Sequence, residues 1–120
     1  MKISELFSLF ARFDRLSPRD AYEGSLRGDV VVIDVRTPNE WQATGSPKTS
    51  HRICKNDKDF EQEVLKLLEP APETTLALSC LSGSRAKSAA KRLQKAGVKN
   101  LKIVEGGISN WVKGGLPVDT

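Results

Sequence analysis

The chain has 120 residues, of which 38% are apolar and 28% charged, with a formal net charge of +4. That length suits one domain burying roughly two-thirds of its unfolded surface, and the composition is that of an ordinary globular protein. The basic excess is spread along the chain rather than gathered in a block, which argues against a nucleic-acid binder and favours attraction of a small anion.

Cysteines at 54 and 80 and a single histidine fit neither a zinc spacing nor a disulfide framework. No window approaches the length of a membrane span. The opening Met1 to Phe10 carries Glu5 inside its apolar run and lacks a small-residue cleavage site, so it reads poorly as a signal peptide. A cytoplasmic protein with reduced thiols is the expectation.

Ile3, Leu6, Phe7, Phe10 and Phe13 recur at helical spacing and predict an amphipathic helix over residues 3–13, either a core element or a docking surface. Residues 1–16 are thus read as a helical extension of a single domain spanning 1–120. Ser17-Pro18-Arg19-Asp20 is a helix start, with serine as cap, proline first and an acid in the first turn; that helix runs to about Arg27 and stops at Gly28. Val30 to Val35 is a β-branched run expected of a parallel strand covered on both faces. Thr37-Pro38 opens a short helix through Glu40 and Trp41, Gly45 to Lys48 reads as a turn, and Ser50 to Cys54 as a weak strand. Phe60, Val64, Leu67 and Leu68 mark a helix ended by Pro70 and Pro72. Thr74 to Ser79 is a strand, Ala86, Ala89, Ala90 and Leu93 form the buried stripe of the next helix, and Val98 to Val104 supplies a last strand. Gly106-Gly107 then turns into a segment carrying Trp111. Strands alternating with helices predict an α/β fold with a parallel sheet and helices on both faces.

Cys80 ends an apolar strand and opens Cys80-Leu81-Ser82-Gly83-Ser84-Arg85, from which a helix starts. Strand, small-residue turn and helix place a thiol among main-chain N–H groups at a helix N-terminus, a setting that holds anions and favours the thiolate. An ordinary thiol is only about 3% ionised at pH 7, so such a setting matters to a nucleophile, whereas a buried inert cysteine has no need of it. Cys80 is read as a nucleophile that stays charged and open to solvent. Gly83 allows the chain to curl where φ is positive or a side chain would collide, Ser82 and Ser84 can donate hydroxyl hydrogen bonds, and Arg85 keeps a fixed positive charge at the loop's end.

Other landmarks stand in a fixed order: Ile33-Asp34-Val35-Arg36, Pro38, Glu40-Trp41, the loop at 80–85, Gly97, Glu105-Gly106-Gly107, Trp111 and Gly115-Leu116-Pro117-Val118. In this order the chain resembles a single-domain rhodanese, of the sulfurtransferase family, over residues 17–118. The resemblance implies about five parallel strands flanked by helices, a nucleophile at Cys80 and an active loop at 80–85. It matches Asp34 and Arg36 to the family's acid and base, and Trp111 to a packing tryptophan. Two departures stand out. Leu81 follows the nucleophile where relatives often have arginine, and Gly45 to Ser50 replaces a Gly-His-Ile-Pro-Gly-Ala stretch.

The implied activity is transfer of sulfane sulfur from thiosulfate or a similar anionic donor to a thiol or cyanide, through a persulfide on Cys80 and with no organic cofactor or metal. Arg85 either braces the loop on a carboxylate such as Glu40 or touches substrate. Asp34 is expected to act as a hydrogen-bond acceptor behind the loop, and Arg36 either to steer the donor or to pair with an acid. His51 and Arg52 are either exposed turn residues or a replacement for the charge absent at Leu81. Cys54 is either inert or a resolving thiol. The alternative activity is a sulfur-relay module loaded by a carrier protein. A phosphatase is disfavoured because the loop has six residues, one fewer than in related phosphatases.

Overall fold

Along the chain the elements are β1 (Asp14–Leu16), α1 (Pro18–Arg27), β2 (Val30–Asp34), α2 (Pro38–Thr44), β3 (Ser46–Pro47), β4 (His51–Arg52), α3 (Phe60–Leu68), β5 (Thr75–Ser79), α4 (Ser84–Lys95), β6 (Leu101–Val104), α5 (Gly107–Lys113) and β7 (Val118–Asp119). The computed structural model describes residues 13–120; the helix expected over residues 3–13 therefore lies outside the described residues, apart from its last position.

Local chemistry sets the boundaries. The Asp20 N–H donates to Ser17 Oγ at 3.0 Å, Pro18 takes the first turn of α1, and Gly28 closes the helix with φ +83°. Thr37 and Glu40 cap α2 reciprocally: the Glu40 N–H donates to the Thr37 hydroxyl while the Glu40 carboxylate accepts from the Thr37 N–H.

Five strands form one parallel sheet in the order β1-β6-β5-β2-β4. β2 and β5 pair from Val30 with Thr75 to Asp34 with Ser79, so the two central strands end side by side immediately before Cys80. Because side chains alternate along a strand, the sheet serves two cores. Ile33, Leu76, Leu78 and Ile103 pack with α3 and α4 on one face, where Phe60, Val64 and the Ala86, Ala89, Ala90, Leu93 stripe are buried. Val32, Ala77 and Val104 meet Ala21 of α1 and Ile108 and Trp111 of α5 on the other. Trp111 is fully buried, donates Nε1–H to the Pro117 carbonyl at 2.8 Å and meets Tyr22 edge to face. Among the described residues no helix is long and apolar enough to cross a membrane.

Two parts differ from expectation. Residues 14–16, assigned to a helical extension, form edge strand β1 on β6, and the Glu105 N–H donates to the Leu16 carbonyl at 2.8 Å. Pairing along the edge of β6, with Leu16 packed on the second core, outweighs a helical spacing that had little hold on these three residues. The turn expected at Gly45 to Lys48 contains β3, which pairs antiparallel with β7; Pro47 is tolerated because this two-stranded ribbon is all edge.

Candidate active site

Cys80 follows β5 in the middle of the sheet, and the chain curls so that the Gly83 N–H donates to Cys80 Sγ at 2.9 Å. Gly83 reaches this position with φ +124°, and a Cβ there would touch nothing within 4 Å. Its glycine is therefore required by backbone conformation rather than by space. α4 begins at Ser84, and the first amides of a helix have no partner within it, so the thiol sits at a helix end that favours negative charge.

The expectation of an open thiol is corrected: Cys80 is only 1% exposed and belongs to the buried cluster that the sheet forms with α3 and α4. Leu81, Ser82 and Ser84 form the exposed rim, with Leu81 itself 49% exposed.

The loop is held at both ends. Arg85 makes a two-pronged ion pair with Glu40, Nη1 to Oε1 at 2.5 Å and Nη2 to Oε2 at 2.7 Å. The capping box of α2 orients that carboxylate, since Oε1 also accepts from the Thr37 hydroxyl at 3.0 Å. The Arg85 hydrogen bonds hold Glu40 well below its ordinary range, at about 2. Arg85 is raised in turn, first by Glu40 and to a smaller degree by Cys80 and Asp34. Of the two roles open to Arg85, the structure shows bracing.

At the other end, the N–H groups of Ile108 and Ser109 donate to the carbonyls of Cys80 and Leu81, at 2.8 and 3.4 Å. This contact works only because residue 107 is glycine: φ is +56°, and a Cβ would lie 2.2 Å from the Cys80 carbonyl oxygen. Sequence reasoning treated Gly106-Gly107 as a turn and missed that it seats the loop. The doubled glycine before a helix was the available signal.

Asp34 and Arg36 are buried, at 0% and 1% exposure. Arg36 Nε and Nη2 donate to Asp34 at 3.0 and 2.8 Å, Nη1 to Thr44 Oγ1 at 2.9 Å and Nη2 to the Gly45 carbonyl at 2.6 Å. A fork so enclosed cannot steer a donor. Of the two roles open to Arg36, pairing with an acid is the one the structure shows, as a buried clamp joining β2 to the end of α2.

His51 and Arg52 are exposed, and Arg52 is engaged by Ser46 Oγ and the Asp119 carbonyl, both at 2.9 Å, with its guanidinium over Trp41. It pins the small ribbon to the main sheet. Cys54 is a free, partly buried thiol.

The fold and the loop define a class of α/β proteins with a cysteine loop between a central parallel strand and the head of a helix. Within that class, the sequence pattern of the rhodanese-like domain matches residues 17–114, and the chain belongs to this family. A rhodanese-related protein of Thermoplasma volcanium superposes with a TM-score of 0.70 and 32% identity, covering 89% of this chain and 98% of that one. The polysulfide-sulfur transferase homodimer of Wolinella succinogenes gives 0.70 and 29%, covering 99% and 93%. The tRNA uridine(34) hydroxylase of Synechococcus elongatus is 28% identical over 102 residues; the match takes in 85% of this chain and spans only 38% of that protein.

Proposed function

We propose that the protein is a sulfurtransferase in which Cys80 carries sulfane sulfur as a persulfide. The observation that carries this reading is the Gly83 N–H directed at Cys80 Sγ at the head of α4. In the first step the Cys80 thiolate attacks the outer sulfur of a donor such as thiosulfate. A Cys80 S–S bond forms, the donor's S–S bond breaks, and sulfite leaves with its electron pair. In the second step a thiolate or cyanide attacks the outer sulfur of the persulfide, and the electron pair of the broken bond returns to Cys80 Sγ. No external oxidant or reductant is needed. Gly83 steadies the sulfur as nucleophile and again as leaving group, while the Glu40–Arg85 pair and the seat on Ile108 keep the loop set between steps. Membership in the rhodanese-like family and the likeness to a polysulfide-sulfur transferase support this chemistry.

The test is intact-protein mass spectrometry after incubation with thiosulfate and with polysulfide. The native chain gains the mass of one sulfur atom and Cys80→Ser gains none; equal behaviour of the two proteins removes Cys80 from the mechanism.

A second reading rests on Leu81. An apolar side chain 49% exposed on the rim, where a charge would help to draw in a free anion, suits a protein carrier that brings the sulfur by contact. Faster loading from a persulfide-bearing protein than from thiosulfate, with Leu81→Arg improving only the thiosulfate reaction, selects this reading. An unchanged preference in Leu81→Arg discards it.

A further inference from the structure

Beside the loop lies a second feature that the transfer steps do not use. A cavity of about 180 Å³ has residues 82–84 of the loop as one wall and Ile103 in its apolar part. Arg15, Lys87 and Glu105 also line it. Three elements bring these charges to one end of the sheet: Arg15 sits on β1 opposite Ile103, Lys87 in the first turn of α4, and Glu105 directly after β6. All three side chains are exposed, and among the described residues none of them makes an ion pair. Gly83 links the cavity to the chemistry, because its N–H is on Cys80 Sγ while the residue also forms part of the cavity wall.

We propose that this cavity is the acceptor subsite and that it selects a zwitterionic amino-acid thiol, with the acceptor's carboxylate toward Arg15 and Lys87 and its ammonium toward Glu105. The proposal rests on the sulfurtransferase reading above. The cavity shares Arg15, Lys87 and Ile103 with a neighbouring one of about 380 Å³, so the selection comes from its charges and not from its volume. Charges of both signs lining one cavity discriminate by leaving one charge unmatched when an acceptor lacks either group. A thiol held there has its two charged groups fixed and its sulfur free to attack the outer sulfur of the persulfide. R–S⁻ and Cys80–S–SH give R–S–SH and Cys80–S⁻: one S–S bond forms, one breaks, and the charge is conserved.

The experiment starts from protein preloaded with persulfide and follows loss of the extra sulfur by intact mass. Four acceptors are compared: cysteine, cysteamine (no carboxylate), 3-mercaptopropionate (no ammonium) and 2-mercaptoethanol (neither). Variant-to-native rate ratios cancel the intrinsic reactivity of each thiol. Glu105→Gln should slow cysteine and cysteamine by about three- to fivefold, the size expected of a solvent-exposed charge contact, and leave the other two unchanged. Lys87→Gln should slow cysteine and 3-mercaptopropionate to the same degree and spare cysteamine. Absence of either half of that pattern overturns the subsite. If Cys80 accepts no sulfur at all, the sulfurtransferase reading falls and the subsite with it; if it loads normally and the four ratios are flat, only the subsite is lost.

Discussion

Gly83 holds a backbone conformation that side-chain-bearing residues rarely adopt, with φ at +124° and empty space where a Cβ would stand. Alanine there meets no clash, so its whole effect is conformational. Gly83→Ala should cost about 1–2 kcal/mol and slow persulfide formation, because the amide relaxes away from Sγ. Urea denaturation reads the first effect and loading kinetics the second; a stable variant with native loading shows that the amide is not needed. Glu40 makes a pH-dependent contribution. Its carboxyl is lowered from 4.5 to about 2 chiefly by Arg85. The pair therefore stabilises fully above about 4.5, and its contribution is lost as pH falls through about 2. With both side chains about one-third exposed, solvent screening limits this to about 1 kcal/mol. Native and Glu40→Gln proteins should differ by that amount at pH 7 and converge near pH 2. A gap that persists undiminished in acid assigns the effect to packing instead. At this scale the thiol, its glycine and the arginine were legible in the sequence, because each follows from what a strand-to-helix turn demands. Burial of Arg36 was not: its three partners at residues 34, 44 and 45 come together only when α2 folds back on β2.

Elements meet the loop from two directions, α2 through the Glu40 carboxylate and α5 through its main-chain amides. Gly107→Ala would drive a Cβ into the Cys80 carbonyl, a main-chain atom that cannot step aside. The variant should lose more than about 2 kcal/mol and load sulfur poorly even below its melting transition; native loading would mean that the seat on Ile108 does not set the thiol. The clamp between β2 and α2 is equally specific. Asp34→Ala leaves the Arg36 guanidinium buried with neutral partners only, a loss of about 3–5 kcal/mol, while simultaneous replacement of Arg36 by methionine should recover much of it. Calorimetry of the three proteins decides; equal losses in the single and double variants show that the charge pair is not the source. The helices were readable from different signals, cap and proline in α1 and α2 and apolar spacing in α3 and α4. β1, β3, β4 and β7 have only two or three residues each, too few for any periodicity to register. Their pairing is decided by neighbours distant in sequence: β1 by β6, β4 by β2, and β3 by β7.

For the molecule as a whole, the sheet divides the interior into two cores that share only main chain and the alternating strand residues. Leu93→Ala on the α4 face should cost about 2–5 kcal/mol and Ile108→Val on the α5 face about 0.5–1.5 kcal/mol. The double variant should show their sum within about 0.5 kcal/mol; a larger departure means that the sheet transmits strain between its faces. The architecture also has a temporal side. The carbonyl of Cys80 is seated by the Ile108 amide of the Gly107–Lys113 helix, which leaves a ribosome well after the cysteine itself. A nascent or truncated polypeptide that ends before that helix carries its thiol without the support that orients it. Assembly of the loop is thereby completed only once that later segment is in place.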